Sequence, residues 1–289
     1  MKHIASGKVR EIYELSDDQL LIVSSDRISA FDVVMNEPVR DRGRLLTALT
    51  EFWLHEVFGD IPNHLVTTDV PKEAADLADV AGRCMVVRKA TVLPVEFIVR
   101  NYLAGTGYKE YVATGTLHGQ KLPSGLQLGS KLPEPVLTPS TKAELGEHDI
   151  NLTMDEAADL VGSDVLKEAE AMSLEVFSRG AKLAEQHGFI LADTKFELGY
   201  IDGTLSLCDE ILTPDSSRYW EPTGWSPGQT LPSYDKQLLR DYLESVPEWG
   251  KVAPPPSLTT EILEHIRSRF VEIYEKLTGR SFADWPGVS

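Results

Sequence analysis

The chain has 289 residues, of which 42% are hydrophobic and 25% charged, as in globular proteins with one large domain or two lobes. Its 45 acidic residues outnumber 28 basic ones, and the formal net charge of −17 argues against nucleic acid or an anionic membrane as the main partner. The two cysteines, Cys84 and Cys208, indicate neither a disulfide framework nor a zinc site, and no apolar run is long enough to span a membrane. We therefore expect a soluble, cytoplasmic protein.

The first 95 or so residues are dominated by short predicted strands. Apolar residues alternate in KVREIYELS and in QLLIVSSD, and residues 16–18 give a turn signal between the two segments. Helical spacing of apolar residues predicts a helix in LLTALTEFWLHEVFG, which closes with Gly59. The next segment, GRCMVVRKATVLPVEFIVRNYL, predicts a strand pair in which Pro94 fits an edge or a break.

The middle and the end of the chain differ from this pattern. Residues 115–150 are rich in Gly, Pro, Ser and Thr, and they predict a long loop. A functional loop is favoured over a spacer because it holds five titratable residues between Lys142 and Asp149. Helical spacing follows from Met154 to His187, and later in YDKQLLRDYLES and TTEILEHIRSRFVEIYEKLTG. Strands first and helices later, with a hairpin between them, form an α+β pattern.

Two glycine-containing segments could bind phosphate, although neither matches a standard nucleotide-binding motif. SGKVREIY places Gly7 beside two cations, Lys8 and Arg10, which strand alternation would put on the same face. A basic surface strand is the simpler interpretation of this segment on its own. In VRNYLAGTGYKEY, Arg100 ends an apolar strand, and the tight turn of residues 105–107 opens toward a short helix. That turn is either a phosphate pocket or an ordinary capped turn.

The segment ILADTKFELGYIDGTLSLCDEILTPDSSRYW, residues 190–220, carries more charge than a buried strand pair should. Alternation places Asp193, Lys195 and Glu197 on one face, and the partner strand adds Asp209 and Glu210. A lysine between two acids could be an ordinary salt-bridge ladder. Clustered carboxylates without enough lysines favour instead a bound cation such as Mg²⁺, which takes oxygen ligands.

The register of this hairpin decides which acid joins the polar face. A two-residue turn at Asp202-Gly203 places Glu210 there. A three-residue loop or a bulge would instead set Glu197 opposite Asp209. The hydrophobic pattern favours the two-residue turn.

Several motifs, taken in order, closely resemble the phosphoribosylaminoimidazole-succinocarboxamide synthase (SAICAR synthetase) family. They are GKVREIY, SDRISAFD, VRNYLAGTGYKEY, TPSTKAELGEHD, DTKFELG, DEILTPDSSRYW and YDKQLLRDYL. The resemblance implies an ATP-dependent carboxylate–amine ligase of de novo purine biosynthesis with ATP and Mg²⁺ as cofactors. Its substrates would be ATP, L-aspartate and carboxyaminoimidazole ribonucleotide, and its products SAICAR, ADP and phosphate, formed through an acyl phosphate. The sequence leaves open whether the chain forms a homo-oligomer.

The fold that the resemblance implies is α+β, with two lobes and a nucleotide cleft between them. Residues 1–95 would form a small N-terminal antiparallel β-rich lobe that covers the ATP phosphates. Residues 96–289 would form a larger α+β lobe with the metal and substrate sites.

The resemblance also implies which residues bind the nucleotide. Gly7, Lys8 and Arg10 would cover the ATP phosphates, and some relatives have lysine at the position of Arg10. Glu197 and Asp209 would hold both Mg²⁺ and the nucleotide. Because alternation favours Glu210 over Asp209, this assignment carries the expectation of a bulge or a longer turn between Glu197 and Asp209.

The remaining assignments concern the substrates. Lys195 and Asp193 would be the catalytic residues beside the reacting carboxylate. The ribonucleotide phosphate would contact Arg100, Thr106 and Arg218, and many relatives have serine at the position of Thr106. Two further substrate-binding elements are implied, namely Asp32 and the Lys142–Asp149 loop.

Two other functions use the same residue types. A small-molecule kinase would need the same glycine segment, lysine and metal-binding acids, but would leave a stable phosphorylated product. A non-catalytic nucleotide-binding module would bind ATP without turnover, and the acids at 193, 197 and 209 argue against it.

Overall fold

The computed structural model of the chain describes residues 1–142, 150–229, 233, 234 and 236–288. The strands found there are Lys2–Ser6 (β1), Arg10–Glu14 (β2), Gln19–Ser24 (β3), Ser29–Ala30 (β4), Val33–Val34 (β5), Leu65–Thr67 (β6), Cys84–Arg88 (β7), Thr91–Tyr102 (β8), Thr116–Leu117 (β9), Gln120–Lys121 (β10), Lys131–Thr141 (β11), Ile190–Ile201 (β12), Thr204–Cys208 (β13) and Ser217–Trp220 (β14). The α-helices are Arg42–Glu51 (α1), Gly105–Thr114 (α2), Met154–Val161 (α3), Ser163–Gln186 (α4), Gln237–Glu244 (α5) and Thr260–Thr278 (α6). The strand pairings found are all antiparallel, so the expected α+β class is confirmed.

The chain divides into two compact units that interleave in sequence. The first unit contains Met1–Ala90, Thr213–Asp215 and Tyr234–Ser289, and the second contains Thr91–Leu212 and Ser216–Ser233. The predicted division placed everything after residue 95 in one lobe. The C-terminal residues join the first unit instead, because α6 packs against α1, in which residues 42–50 are all buried.

The first unit is built on a five-stranded sheet with the order β1-β2-β3-β7-β6. Strands β2 and β3 lie where the alternation predicts them, and Leu21, Cys84 and Val86 belong to a buried cluster at this sheet. Gly7 and Lys8 precede β2 in the turn after β1, in which the Gly7 N–H donates to the carbonyl oxygen of Arg10 at 2.8 Å. The prediction that Lys8 and Arg10 share one strand face is therefore wrong, because the strand begins only at Arg10.

The second unit is built on another five-stranded sheet, which has two 12-residue strands at its centre. Its order is β11-β8-β12-β13, and β14 also pairs with β12. Helix α4 packs against β8, β11 and β12. Phe196 and Leu198 are fully buried, as alternation in β12 predicts. The opposite face of β12 carries Asp193, Lys195 and Glu197.

The loop predicted for residues 115–150 contains a long strand, β11, and a small hairpin of β9 and β10. Pro133, Pro135 and Pro139 obscure the strand in the sequence because proline cannot donate to a sheet ladder. Strand β11 tolerates them because it is an edge strand, paired only with β8 among the described strands. The helical character predicted from Met154 to His187 is confirmed, as two helices that Gly162 separates at φ +92°.

None of the described helices combines the length and the hydropathy that crossing a membrane requires.

Candidate functional site

The charged hairpin has the regular two-residue turn. Asp202 and Gly203 both have positive φ, and the register runs from Ile201 opposite Thr204 to Glu197 opposite Cys208. The expected bulge or longer turn between Glu197 and Asp209 is therefore wrong. Strand β13 ends at Cys208, so its alternation does not extend to the two acids that follow.

Asp209 approaches the polar face without a bulge because its backbone is left-handed, with φ +61°. Its carboxylate is one of the groups that raise the pKa of Lys195. Burial first, and then Glu197 and Asp209, raise the pKa of the Cys208 thiol to about 12. Asp209 thus acts electrostatically on Lys195, whereas strand alternation alone pointed to Glu210.

Lys195 is surrounded by carboxylates on this face. Its Nζ lies 2.6 Å from Oε1 of Glu96 and 3.4 Å from Oε1 of Glu197. Lys142 donates to the other carboxylate oxygen of Glu197. Burial alone would lower the pKa of Lys195, but the carboxylates of Glu197, Glu96 and Asp209 raise it above its ordinary value. Lys195 is therefore a fixed positive charge among three acids.

Glu96 is the member of this cluster that sequence reasoning missed. It lies in β8 opposite Glu197, and its side chain is 8% exposed. A signal was present in VEFIVRNYL, where alternation places Glu96 on the same face as Arg100 in an otherwise apolar strand.

A second cluster lies farther along the same two strands. Arg100 Nη1 donates to Oδ2 of Asp193 at 2.9 Å, and Arg218 donates to the same oxygen. The Arg100 and Asp193 side chains are each 4% exposed, and Arg100 Nε also donates to Oγ1 of Thr138 at 3.1 Å. Burial, partly offset by Asp193, lowers the pKa of Arg100. Two guanidinium groups share one carboxylate oxygen here, in a largely buried place.

Helix α2 begins beside these arginines. Gly105 has φ +55°, and a Cβ atom there would overlap the guanidinium of Arg218. A Cβ on Gly107 would lie 3.4 Å from Nε of Arg100. Thr106, between the two glycines, is exposed in the first turn of the helix. The N–H groups of a first helical turn favour anions, so Arg100, Thr106 and Arg218 form one positively polarised region.

The remaining predicted residues belong to the first unit. Lys8 Nζ lies 2.5 Å from Oδ1 of Asp32, and both side chains are partly exposed. Asp32 itself has φ +62°. Arg27 donates to the carbonyl oxygen of Gly7 at 3.3 Å, so the turn before β2 is tied to the segment that leads to Asp32.

The acids around Lys195 suit a hard cation in kind, because Glu96, Glu197 and Asp209 are oxygen donors of the type that Mg²⁺ prefers. No group of three titratable or thiol ligands in the described part of the chain is arranged to hold a metal ion. The ammonium groups of Lys142 and Lys195 instead neutralise Glu197. The predicted loop beyond Lys142, with Glu144, Glu147, His148 and Asp149, lies outside the described residues.

Comparison with known proteins gives one consistent result. A sequence model of the family described as SAICAR synthetase matches residues 3–256. Phosphoribosylaminoimidazole-succinocarboxamide synthase of Trichlorobacter lovleyi is 48% identical over 283 residues, which cover 96% of this chain and 95% of that protein. The same-named protein of Geobacter sulfurreducens is 47% identical over 284 residues, with 97% and 95% covered.

Solved structures agree with the sequence relatives. The SAICAR synthase of Saccharomyces cerevisiae, in complex with SAICAR, superposes with a TM-score of 0.88 at 38% identity and covers 97% of this chain and 96% of its own. A SAICAR synthetase in complex with ADP gives a TM-score of 0.70 at 25% identity, with 96% and 98% covered. On the match to the family sequence model and the near full-length identity to these relatives, the chain belongs to the SAICAR synthetase family.

Proposed function

We propose that this chain is the ATP-dependent ligase of its family, joining the amine of L-aspartate to the carboxylate of carboxyaminoimidazole ribonucleotide. The products would be SAICAR, ADP and phosphate, in de novo purine biosynthesis. One observation supports this assignment most directly. A single sheet face carries a carboxylate–lysine cluster around Lys195 and, beside it, an arginine cluster around Asp193. We also propose a cytoplasmic location.

The two clusters suit the two ends of the ribonucleotide. Arg100, Arg218 and the first turn of α2 around Thr106 would bind its phosphate, because guanidinium groups and helix N–H groups both favour phosphate oxygens. Lys195 and Asp193 would then lie along the substrate toward its carboxylate. Lys142 and Asp32 remain proposed substrate-binding residues.

The chemistry requires charge neutralisation more than a base. A carboxylate is a poor electrophile, so one of its oxygens would attack the γ-phosphorus of ATP, and ADP would leave. The aspartate nitrogen would then attack the carbonyl carbon of the acyl phosphate, phosphate would leave, and the nitrogen would lose a proton. Lys195 would stabilise the negative charge on the oxygens that react, because its raised pKa keeps it protonated.

Two groups of residues would hold the nucleotide, and one of them, Glu197 with Asp209, would also hold the metal. Gly7, Lys8 and Arg10 are the proposed contacts to the ATP phosphates, because two cations lie in and directly after the turn before β2. Glu197 and Asp209 are the proposed Mg²⁺ ligands, and Glu96 is a third candidate. When bound, Mg²⁺ would neutralise phosphate oxygens during transfer.

A coupled assay of ADP release tests the function. We expect ADP and phosphate to appear at full rate only with ATP, L-aspartate and the ribonucleotide together, and mass spectrometry should identify the succinocarboxamide. A stable phosphorylated product in the absence of aspartate would identify a small-molecule kinase, which the family assignment does not favour. ATP binding without turnover for any amine would identify a non-catalytic binding module.

A further inference from the structure

His118 is a buried histidine in an unexpected place. It forms, with Gly119, the two-residue turn of the β9–β10 hairpin, and both residues have positive φ, at +48° and +79°. Turn residues normally face solvent. The His118 side chain is nevertheless completely buried.

The buried ring joins two segments that are distant from it in sequence. Its Nδ1 lies 3.0 Å from the carbonyl oxygen of Pro139 and 3.0 Å from that of Leu152. Both partners are acceptors, so Nδ1 carries the hydrogen and donates to the two together. Pro139 and Leu152 also bond to each other, since the Leu152 N–H donates to the Pro139 carbonyl at 2.9 Å.

Glu110 of helix α2 completes the arrangement. Its Oε1 accepts the His118 backbone N–H at 2.5 Å, and its Oε2 accepts Asn151 Nδ2 at 3.2 Å. Oε2 also lies 3.7 Å from His118 Nε2. Burial lowers the pKa of His118, which favours the neutral ring despite the nearby Glu110. The neutral His118 ring and the Glu110 carboxylate thus join the β9–β10 turn, helix α2 and the segments around Pro139 and Leu152.

The segments held by His118 lead directly to Lys142. Thr141 N–H donates to the carbonyl oxygen of Ile150 at 2.9 Å, which continues the pairing of Pro139 with Leu152. The next residue, Lys142, donates to Glu197 in the acid cluster. His118 is therefore connected to Glu197 by a short paired stretch of backbone that is followed directly by Lys142.

We propose that His118 is a positioning residue for Lys142. By fixing the carbonyl groups of Pro139 and Leu152, it holds Lys142 against Glu197. The catalytic consequence rests on the role proposed above for Lys142, but the positioning itself is measurable without any substrate.

Two conservative variants separate this role from general packing. An asparagine amide nitrogen reaches the place of imidazole Nδ1, and asparagine tolerates positive φ in a two-residue turn. Glutamine reaches the place of Nε2 instead. We therefore expect His118→Asn to retain the donor to Pro139 and Leu152, and His118→Gln and His118→Ala to lose it.

Limited trypsin digestion without substrates measures the positioning, because Lys142 is itself a cleavage site. We expect His118→Ala and His118→Gln to speed cleavage after Lys142 about tenfold, the effect of losing about one buried hydrogen bond from local stability. His118→Asn should remain near wild type. Cleavage after Lys251, in the first unit, should not change, which separates local opening from global unfolding.

Gln120→Ala is the matched control, because Gln120 donates to the carbonyl oxygen of Leu137 in the same strand at 3.0 Å but does not reach Pro139 or Leu152. It should leave the Lys142 cleavage rate unchanged.

In the ligase assay, only variants with fast cleavage should lose turnover. Unchanged cleavage in His118→Ala, or equal effects of the Asn and Gln variants, would overturn the positioning role. Fast cleavage with wild-type turnover would overturn its catalytic consequence, whereas an inactive wild-type protein would count against the proposed function alone.

Discussion

Lys195 is the residue at which the charges of the site converge, and its surroundings decide what it can do. Glu96 lies 2.6 Å from its Nζ, and the neighbouring carboxylates raise its pKa above the usual value. A lysine must lose its proton before it can act as a base or a nucleophile. Lys195 is therefore suited to hold charge in place and unsuited to accept a proton from the aspartate amine.

The first prediction separates the two adjacent acids that follow β13. Asp209→Asn removes a carboxylate close to Lys195 and Glu197, so we expect kcat to fall by about a hundredfold or more at saturating ATP. Glu210→Gln is the matched control and should stay within about threefold of wild type. Steady-state kinetics at several Mg²⁺ concentrations checks both. A larger loss in Glu210→Gln would mean that the strand alternation, and not the left-handed turn, identifies the metal ligand.

The sequence predicted the orientation of individual site residues wherever strand alternation applies. The shared face of Asp193, Lys195 and Glu197 follows from a period of two. Glu96 was predictable by the same rule, applied to β8. The orientation of Asp209 was not, because it depends on one positive φ just after a strand end, and an aspartate is only a weak signal for that conformation.

Helix α2 shows how an element can be shaped by the residues beside its first turn. Gly105 has both a left-handed backbone and no room for a side chain against Arg218. Gly115, at the other end of the helix, has φ +72° and open space around it. The two glycines therefore separate the cost of backbone conformation from the cost of displacing Arg218.

The second prediction uses this pair. Gly115→Ala should lower the free energy of unfolding by about 1 kcal/mol, because alanine disfavours the left-handed conformation, and Gly105→Ala should lower it further, because its Cβ also displaces Arg218. Only Gly105→Ala should also raise the KM for the ribonucleotide, by about tenfold, since it moves Arg218 from the proposed phosphate site. Urea denaturation and steady-state kinetics measure the two effects. Equal KM values in the two variants would show that Arg218 or the N-terminus of α2 is not part of the phosphate site.

Strand β11 was the element least accessible from the sequence. Its three prolines are typical of loops, and only its place at the sheet edge makes them compatible with a strand. Edge position is a property of the sheet and not of the segment, so no local pattern could have indicated it. The helical spacing from Met154 to His187 predicted the helices there but did not reveal the break between them at Gly162.

A buried ionic network in the first unit contributes to the stability of the whole molecule. Asp215 binds Arg42 and lies 2.7 Å from Nζ of Lys236. Arg42 is completely buried and also donates to the carbonyl oxygens of Ser25 at 3.2 Å and Arg27 at 2.7 Å. Arg42 and Lys236 hold the pKa of Asp215 below its ordinary value despite its burial.

The third prediction concerns this network. Asp215→Asn leaves two buried cations without their carboxylate, so we expect it to lower the free energy of unfolding by about 3–5 kcal/mol at pH 7. Because the folded-state pKa is lowered, the wild-type contribution is present above about pH 4 and is lost as the pH falls through the folded value. The difference between the two proteins should therefore shrink in acid. Denaturation at pH 7 and pH 3 measures it.

Asp17→Asn provides the control for that experiment, because Asp17 is exposed in the turn before β3 and should change stability by less than about 0.5 kcal/mol. A difference between wild type and Asp215→Asn that stays constant from pH 7 to pH 3 would contradict the role of the ionised carboxylate. No sequence pattern indicated this network, since two of its members, Arg42 and Asp215, lie 173 residues apart. Pairings at such separation are decided by the complete fold.

The interleaving of the two units has a consequence for synthesis on the ribosome. The chain leaves the first unit after Ala90, returns for Thr213–Asp215, leaves again, and returns finally at Tyr234. Helix α6, which packs against α1, is translated after every residue of the second unit. A nascent chain can therefore complete the second unit before the first, in reverse of the usual order in which N-terminal domains finish folding. Until α6 has left the ribosome, the N-terminal sheet must remain without the helix that packs on α1.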